Sequence, residues 1–331
     1  VVERPDKVTL ARELVEQCTV VDVEAQRPRR GEQVRAIDEQ GNAFSWIDDH
    51  DKCHSWKKSV FLADALLRVQ AELERHHIDV RIASPDAVID TNGALMLVVF
   101  GGDGTLLAAA RMYAETGVPI LPIHVGRFGF ITESDSTQVW SHVKNALDGA
   151  LEVHTRAMLY ASVECEGQVI SASPAVNDVV VACSSRRLVD LDVHVDGDLV
   201  AGYAADGVVV ASPTGSTGYA LSAGGPLMHP DVQAMLITPI AAHTLSARSL
   251  VIPMSGVVQI SVPIGGRGVV DATIYGQVTL AVPTDGRVFI RRNRHGLVLV
   301  KGMGMTFYEK VRHRWRLGER RIATPDHNNT H

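Results

Sequence analysis

From Lys57 to Glu74 the apolar residues Val60, Leu62, Ala65, Leu66, Val69 and Leu73 recur at helical spacing. This predicts a helix of about four turns. Ile78 to Ile82 reads as a short strand, the unbroken run Leu95 to Phe100 as a buried one, and Val118 to Ile123 as a third. A further helix is predicted from about Thr137 to Leu147. Strands alternating with helices imply a parallel, Rossmann-like sheet. After Gly149 the period shortens: Val189, Leu191, Val193 and Val195 alternate with Asp190, Asp192 and His194, the mark of a strand with one wet face. Asp196-Gly197 then signals a hairpin turn. Further strands are expected at Ala161 to Val163, Val179 to Ala182, Val208 to Ala211, Val257 to Val262, Val278 to Val282, Val288 to Ile290 and Leu297 to Val300.

The fold class expected is therefore α/β plus all-β. A Rossmann-like N-terminal α/β domain over 56–150 would be followed by a β-rich, sandwich-like domain over 151–300, with 301–331 packing back on the α/β part before a disordered end. Residues 1–55 mix charge with short apolar runs such as Val20-Val21-Asp22-Val23, and their pattern predicts no element.

Two stretches carry candidate chemistry. The run Leu95 to Phe100 breaks into Gly101-Gly102-Asp103-Gly104-Thr105 and resumes as the helix-like segment Leu106 to Tyr113. Ligands in open α/β sheets bind beyond the carboxyl ends of strands, and a helix N-terminus offers free N–H groups to phosphate. Glycines let a phosphate approach the backbone, and Asp103 could act on a hydroxyl beside it. The plainer alternative is that Asp103 or Thr105 only caps the helix. The second stretch runs from Asp206 to Pro226, where a strand enters a loop of small and hydroxyl side chains suited to a ribose, a base edge or a phosphate. Local turn hydrogen bonding is its plainer alternative. Neither the Walker A pattern nor a Gly-x-Gly-x-x-Gly fingerprint occurs in the chain.

Together these stretches resemble the NAD kinase family. The likeness covers most of 57–318 and extends through Gly126-Arg127-Phe128-Gly129-Phe130-Ile131-Thr132, Asn177-Asp178, Thr238-Pro239-Ile240, His243 to Arg248 and Val251-Ile252-Pro253. Gly-Gly-Asp-Gly-Thr alone is shared with diacylglycerol kinases and phosphofructokinase-like enzymes, whereas the stretch from Asp206 to Arg248 is far more specific. The resemblance implies an ATP-dependent kinase that phosphorylates NAD at the 2′-hydroxyl of its adenosine ribose. It makes Asp103 the catalytic aspartate, with Gly101, Gly102, Gly104 and Thr105 around the phosphates. Asn177 and Asp178 match an Asn-Glu pair that holds the dinucleotide's ribose and base, Asp178 being one methylene shorter than the usual Glu. Asp206 matches an aspartate of the dinucleotide site. Thr217, Gly218, Tyr219 and Ser222 fall on the segment lining the adenine and nicotinamide pockets, with Gly218 where the family commonly has Ala. Gln277 sits where many members read Asp-Gly-Gln, but this chain reads Tyr275-Gly276-Gln277. The alternatives are a catalytically silent NAD(P)-binding sensor, to which Asp178 and Tyr275 would belong, and a lipid or sugar kinase sharing the glycine loop.

A ribose hydroxyl ionises far above neutrality, so a carboxylate accepts its proton only as the bond to phosphorus develops. Alignment and charge neutralisation then dominate phosphoryl transfer, which implies Mg²⁺ or another divalent cation held largely by phosphate oxygens and water, with ATP or inorganic polyphosphate as donor. No metal-ligating residues are expected from the chain. Arg111, two turns into the glycine-loop helix, reads as either a phosphate contact or a solvated arginine.

With 331 residues, 46% of them hydrophobic, the chain can bury a large core. A net charge of −6 gives no support to a nucleic-acid or anionic-membrane partner. Cys18, Cys53, Cys165 and Cys183 form no Cys-x-x-Cys pair, which fits a reducing, cytoplasmic setting. No apolar stretch approaches the roughly 20 residues that span a bilayer, and 1–30 is too charged for a secretory signal. The family resemblance implies a homodimer or homotetramer with neighbouring subunits completing the site.

Overall fold

The computed structural model describes 33–37 and 43–47 as backbone, together with 65–82, 89–124, 129–132, 134–183, 188–243, 246–302 and 305–315. The opening turns of the helix expected from Lys57, residues 126–128 and the end of the tail lie outside the described residues. Within the first 55 residues an antiparallel pair forms, β1 (Gln33–Ile37) with β2 (Ala43–Ile47).

The apolar runs of the first half assemble into a sheet flanked by helices. Helix α1 spans 65–75. Strand β3 (Leu97–Gly101) leads into helix α2 (Asp103–Tyr113), which is followed by β4 (Ile120–His124) and helix α3 (Val139–Leu147). Strands β3 and β4 run parallel, in the register Leu97 to Ile120. No strand forms over 78–82, contrary to expectation. His77 takes a left-handed conformation (φ 61°) and Ile78 N–H donates to Leu73 O (3.1 Å), so this segment turns back as a helix cap, while Ile78 and Val80 still pack into the core.

The second half is almost entirely antiparallel. Its strands are β5 (Val153–Arg156), β6 (Leu159–Cys165), β7 (Gln168–Ala175), β8 (Asp178–Cys183), β9 (Val189–Val195), β10 (Asp198–Ala205) and β11 (Gly207–Ala211). After the short helix α4 (Tyr219–Ser222) come β12 (Ala234–Ile240), β13 (Leu250–Pro253), β14 (Val258–Ser261), β15 (Val270–Ile274), β16 (Val278–Ala281), β17 (Arg287–Arg292) and β18 (Leu297–Val300). Helix α5 (Phe307–Trp315) follows. Two six-stranded sheets, ordered β10-β9-β14-β17-β6-β7 and β13-β12-β11-β8-β15-β16, face each other. Alternate residues of both, such as Leu191, Val193, Ile260 and Ile290 against Val179, Val181, Val210 and Ile237, form one continuous core. The expected hairpin at Asp196-Gly197 joins β9 to β10, with both turn residues at positive φ.

Two strands from this half cross over. In the order β3-β4-β18-β5, β18 lies parallel to β4 and β5 closes the sheet antiparallel, so 153–156 and 297–300 belong to the α/β sheet. One face of that sheet packs on α2, where Leu106, Leu107 and Ala110 meet Ile120, Leu297 and Leu299 together with Met158 and Val176 from the sandwich. The other face receives Val69 and Leu73 of α1 and Val139 and Val143 of α3. Because one core contains residues from α2 and from the sandwich, the N-terminus of α2 is held against the sandwich's edge.

Candidate active site

The loop at 101–105 acquires its shape from steric exclusion. Gly101 has φ 156°, and a Cβ there would stand 2.6 Å from Thr105 Oγ1. Gly102 precedes the first helical residue without a side-chain cap, and Asp103 opens the helix. Asp103 therefore is not the cap of its own helix. Its carboxylate reaches sideways to the loop 129–132: Phe130 N–H donates to Oδ2 (2.8 Å), while Ile131 N–H (3.2 Å), Thr132 N–H (3.2 Å) and the Thr132 hydroxyl (3.3 Å) donate to Oδ1. Gly129 is required by the same contact, since a Cβ would fall 2.1 Å from Asp103 Oδ1. One carboxylate thus ties together the two glycine-bearing loops that follow β3 and β4, both at the carboxyl edge of parallel strands.

Asp178 starts β8 at the neighbouring edge of the sandwich, paired in register with Ala211 at the end of β11. Beyond Ala211 the chain turns tightly: Ser212 N–H donates to Asn177 O (2.7 Å), and a Cβ on Gly215 would lie 2.0 Å from that same oxygen. Val209 and Ala211 bury their outward face under Ala220 of α4 and Met228, which seats the 213–222 segment over Asn177 and Asp178. In this corner Asn177 Oδ1, Asp178 Oδ2 and Thr214 Oγ1 are buried without a hydrogen-bond partner among the described residues. Three buried polar atoms left open at one place are groups that a bound ligand or water would satisfy. Burial pushes the Asp178 carboxyl up to about 6, opposed in part by a backbone hydrogen bond from Tyr219. A Cβ on Gly218 would stand 3.5 Å from Asp178 Oδ2, ordinary contact, so glycine here gives room without being demanded.

Several expected site residues converge. Gly101, Gly102, Asp103, Gly104 and Thr105 open α2; Asn177, Asp178, Thr217, Gly218 and Tyr219 surround the unpaired corner. Gln277 joins the first group: its Nε2 donates to Gly104 O (3.3 Å), and Arg111 donates to its Oε1. Ser222 is exposed at the end of α4. Asp206 stands apart. It precedes Gly207, which pairs with Ala182, while Ala211 pairs with Asp178. Asp206 is thus exposed at the other end of β11, about 17 Å along the strand from this corner.

Beside the corner opens a cavity of about 510 Å³, the size of a nucleotide-scale pocket, lined by Thr214, Thr217, Phe130 and Ile131 and roofed by Phe307 and Lys310 of α5. Lys310 Nζ donates to Phe130 O (3.3 Å), and the Phe307 ring meets the Phe130 ring edge-on at 5.8 Å. His154 faces this space; burial, then the neighbouring Arg156 cation, pushes it down to about 4, so it is neutral at pH 7. Thr214, Phe130, Thr132 and Lys310 were not singled out from the sequence as site residues. The glycine motif around Phe130 pointed to its loop, but nothing in the sequence signals Lys310. Arg111 proves to be a partner of Gln277, with burial lowering its pKa.

A helix N-terminus at a parallel strand's carboxyl end, an acidic side chain beside it and a nucleotide-sized cavity define the class: a nucleotide-binding phosphotransferase of α/β plus β-sandwich architecture. Residues 42–154 match the family described as "ATP-NAD kinase N-terminal domain" and 176–302 the "ATP-NAD kinase C-terminal domain". The chain is 38% identical over 226 residues to an NAD kinase of Citrifermentans bemidjiense, covering 68% of this chain and 78% of that protein. It is 35% identical over 240 residues to that of Acidobacterium capsulatum, covering 71% and 83%. The same fold occurs in yeast NADH kinase complexed with NADH (TM-score 0.67, 23% identity, 79% of this chain and 85% of that one). It recurs in an NAD kinase from Archaeoglobus fulgidus in complex with ATP (TM-score 0.61, 24% identity, 76% and 94%). This chain belongs to the NAD kinase family.

Proposed function

We propose that this chain transfers the γ-phosphoryl group of ATP to the 2′-hydroxyl of the adenosine ribose of NAD, giving NADP and ADP. The observation that carries the reading is the group of unpartnered buried atoms on Asn177, Asp178 and Thr214, beside the cavity that Thr214 lines with Phe130 and Ile131, whose amides hold the Asp103 carboxylate. The base and ribose of the dinucleotide satisfy these atoms, and the free N–H groups of the first turn of α2 meet the phosphates.

Asp103 acts as the base. Its Oδ1 is saturated by three donors, whereas Oδ2 accepts only the Phe130 N–H and keeps a lone pair for the ribose hydroxyl. As the O2′–Pγ bond forms and the bond from Pγ to the β,γ-bridging oxygen breaks, the hydroxyl proton passes to Oδ2 and ADP departs with the electron pair. The fixed loop amides keep the carboxylate aimed at no cost during reaction, because their dipoles are already oriented.

A divalent cation would neutralise the phosphate charge when it enters with ATP. The described residues contain no group of three or more His, Cys, Asp or Glu side chains able to hold a metal, and Asp103 has only Oδ2 to spare. The donor set of the described residues suits a cation carried in on phosphate oxygens and water rather than one held by side chains. Tyr219, Ser222 and Asp206 complete the dinucleotide site. Asp206, at the distant end of β11, does so in a neighbouring subunit of a homo-oligomer. We place the protein in the cytoplasm, a reading supported by four cysteines that form no Cys-x-x-Cys pair; separately, no helix among the described residues is long and apolar enough to cross a membrane.

The test is NADP formation from NAD and Mg-ATP, with Asp103→Asn as control. We expect the variant to keep NAD binding while kcat falls at least about 100-fold. Turnover within a few-fold of the parent would overturn the assignment of the base.

A further inference from the structure

The turn joining β15 to β16 is occupied by a residue that its geometry disfavours. Tyr275 (φ 46°) and Gly276 (φ 65°) both lie in the left-handed region of the three-residue loop 275–277, where Gln277 N–H donates to Ile274 O (3.0 Å), and such positions favour Gly, Asn or Asp. A tyrosine there carries strain that the surroundings must over-determine. They do so at three points. The ring packs against the cluster of Leu106, Leu107 and Met158 beneath α2. Gln277 fastens the turn to Gly104 O at the start of α2. In the ladder Ile274 pairs with Val179, so the next residue, Tyr275, comes beside Asp178. The turn is thereby fixed at the start of α2 through Gln277, and the ladder brings Tyr275 beside Asp178, the first residue of β8.

We propose that Tyr275 is a substrate-contacting residue of this chain, its phenol donating a hydrogen bond to the 3′-oxygen of the adenosine ribose. The inference rests on the NAD kinase reading above. Asp103 and Asp178 offer a ribose placed against them acceptors for its hydroxyl protons, and Tyr275 adds a donor for its oxygens on that side. The 3′-oxygen is the useful target: a donor on the 2′-oxygen would tie up the lone pair that attacks phosphorus, whereas a donor on its neighbour fixes the ring without blunting the nucleophile. Burial, followed by the charges of Asp103 and Asp178, raises the phenol's pKa, so it remains a protonated donor at neutral pH. The phenol transfers no proton; the 2′-hydroxyl proton goes to Asp103.

The experiment compares NAD with its analogue lacking the adenosine 3′-hydroxyl, for the parent and for Tyr275→Phe, which keeps the ring's packing. One neutral hydrogen bond corresponds to roughly a 3- to 10-fold effect. We expect the Phe variant to lose that factor in kcat/KM on NAD, through KM, with kcat within 2-fold. On the deoxy analogue the two proteins should perform equally. Equal performance on NAD, or an equal loss on both substrates, would overturn the contact. If the Phe variant fails to fold, the parent alone decides: failure to discriminate against the analogue by at least about 3-fold removes the proposal. A parent that forms no NADP from either substrate would instead refute the reading on which this rests.

Discussion

Asp103 and Asp178 are both carboxylates at the first residue of an element, yet their surroundings differ sharply. Asp103 receives four donors and is partly exposed; Asp178 is 2% exposed and leaves Oδ2 bare. For Asp178 the folded-state pKa, about 6, lies above the ordinary 3.8, so between these values the folded chain binds the proton more readily than the unfolded one. Stability contributed by the neutral carboxyl is therefore full below about pH 4 and declines as pH rises through about 6, by up to about 3 kcal/mol. Asp178→Asn should remove this component: denaturant melts at pH 4.5 and 7.5 should show the variant more stable than the parent only at the higher pH. Equal melts for the two proteins at both values would show that Asp178 carries no such cost. The identity of both residues was legible in the family-like motifs. Their contrasting hydrogen bonding was not, because the amides that hold Asp103 lie 27 to 29 positions away and the lid over Asp178 comes from the 213–222 segment.

At the scale of elements, the glycine turn after β11 sets how close the hydroxyl loop can approach β8. Gly215 presses on the Asn177 carbonyl, a backbone atom that cannot rotate away. Gly215→Ala should separate the turn from Asn177, cost about 2–4 kcal/mol in a denaturant melt, and weaken NAD binding measured by calorimetry. A variant with parental stability and affinity would show that the turn yields freely. Elements with strong periodicity were readable: β9, its hairpin to β10, and β3 leading into α2 all form where expected. Strand β12 was hidden by Pro239, which cannot donate to a ladder. The structure accommodates it because β13 pairs only with 234–237, leaving the side of Pro239 that lacks an N–H beyond that neighbour's reach. At 78–82 the apolar alternation was satisfied by core packing after a helix cap, with no strand partner.

For the whole molecule, Asp206 yields the sharpest prediction. If sites are shared between subunits, Asp103→Asn and Asp206→Asn lie in different chains of some sites. Co-refolding the two inactive variants at equal ratio should then restore about one quarter of parental activity in a dimer, since half the molecules are mixed and each mixed molecule has one intact site. No recovery would mean that each chain works alone. The chain order also explains why the domain limits read from periodicity differ from the spatial units. Strands β5 and β18 look β-rich in sequence but complete the sheet of β3 and β4, and α5 returns to cover Phe130.

Local chemistry was thus written along the chain: glycines where a strand must meet a helix, alternation where a sheet has one wet face, and the pairs of residues that mark the family. These depend on neighbours a few positions apart, which a linear pattern records. The partners of Asp103, the strained seat of Tyr275 and the separation of Asp206 from Asp178 came from packing, because each depends on segments tens to more than a hundred residues apart, brought together by the cores. Side-chain contacts of that range follow the free energy of the assembled core and leave no periodic trace in the sequence.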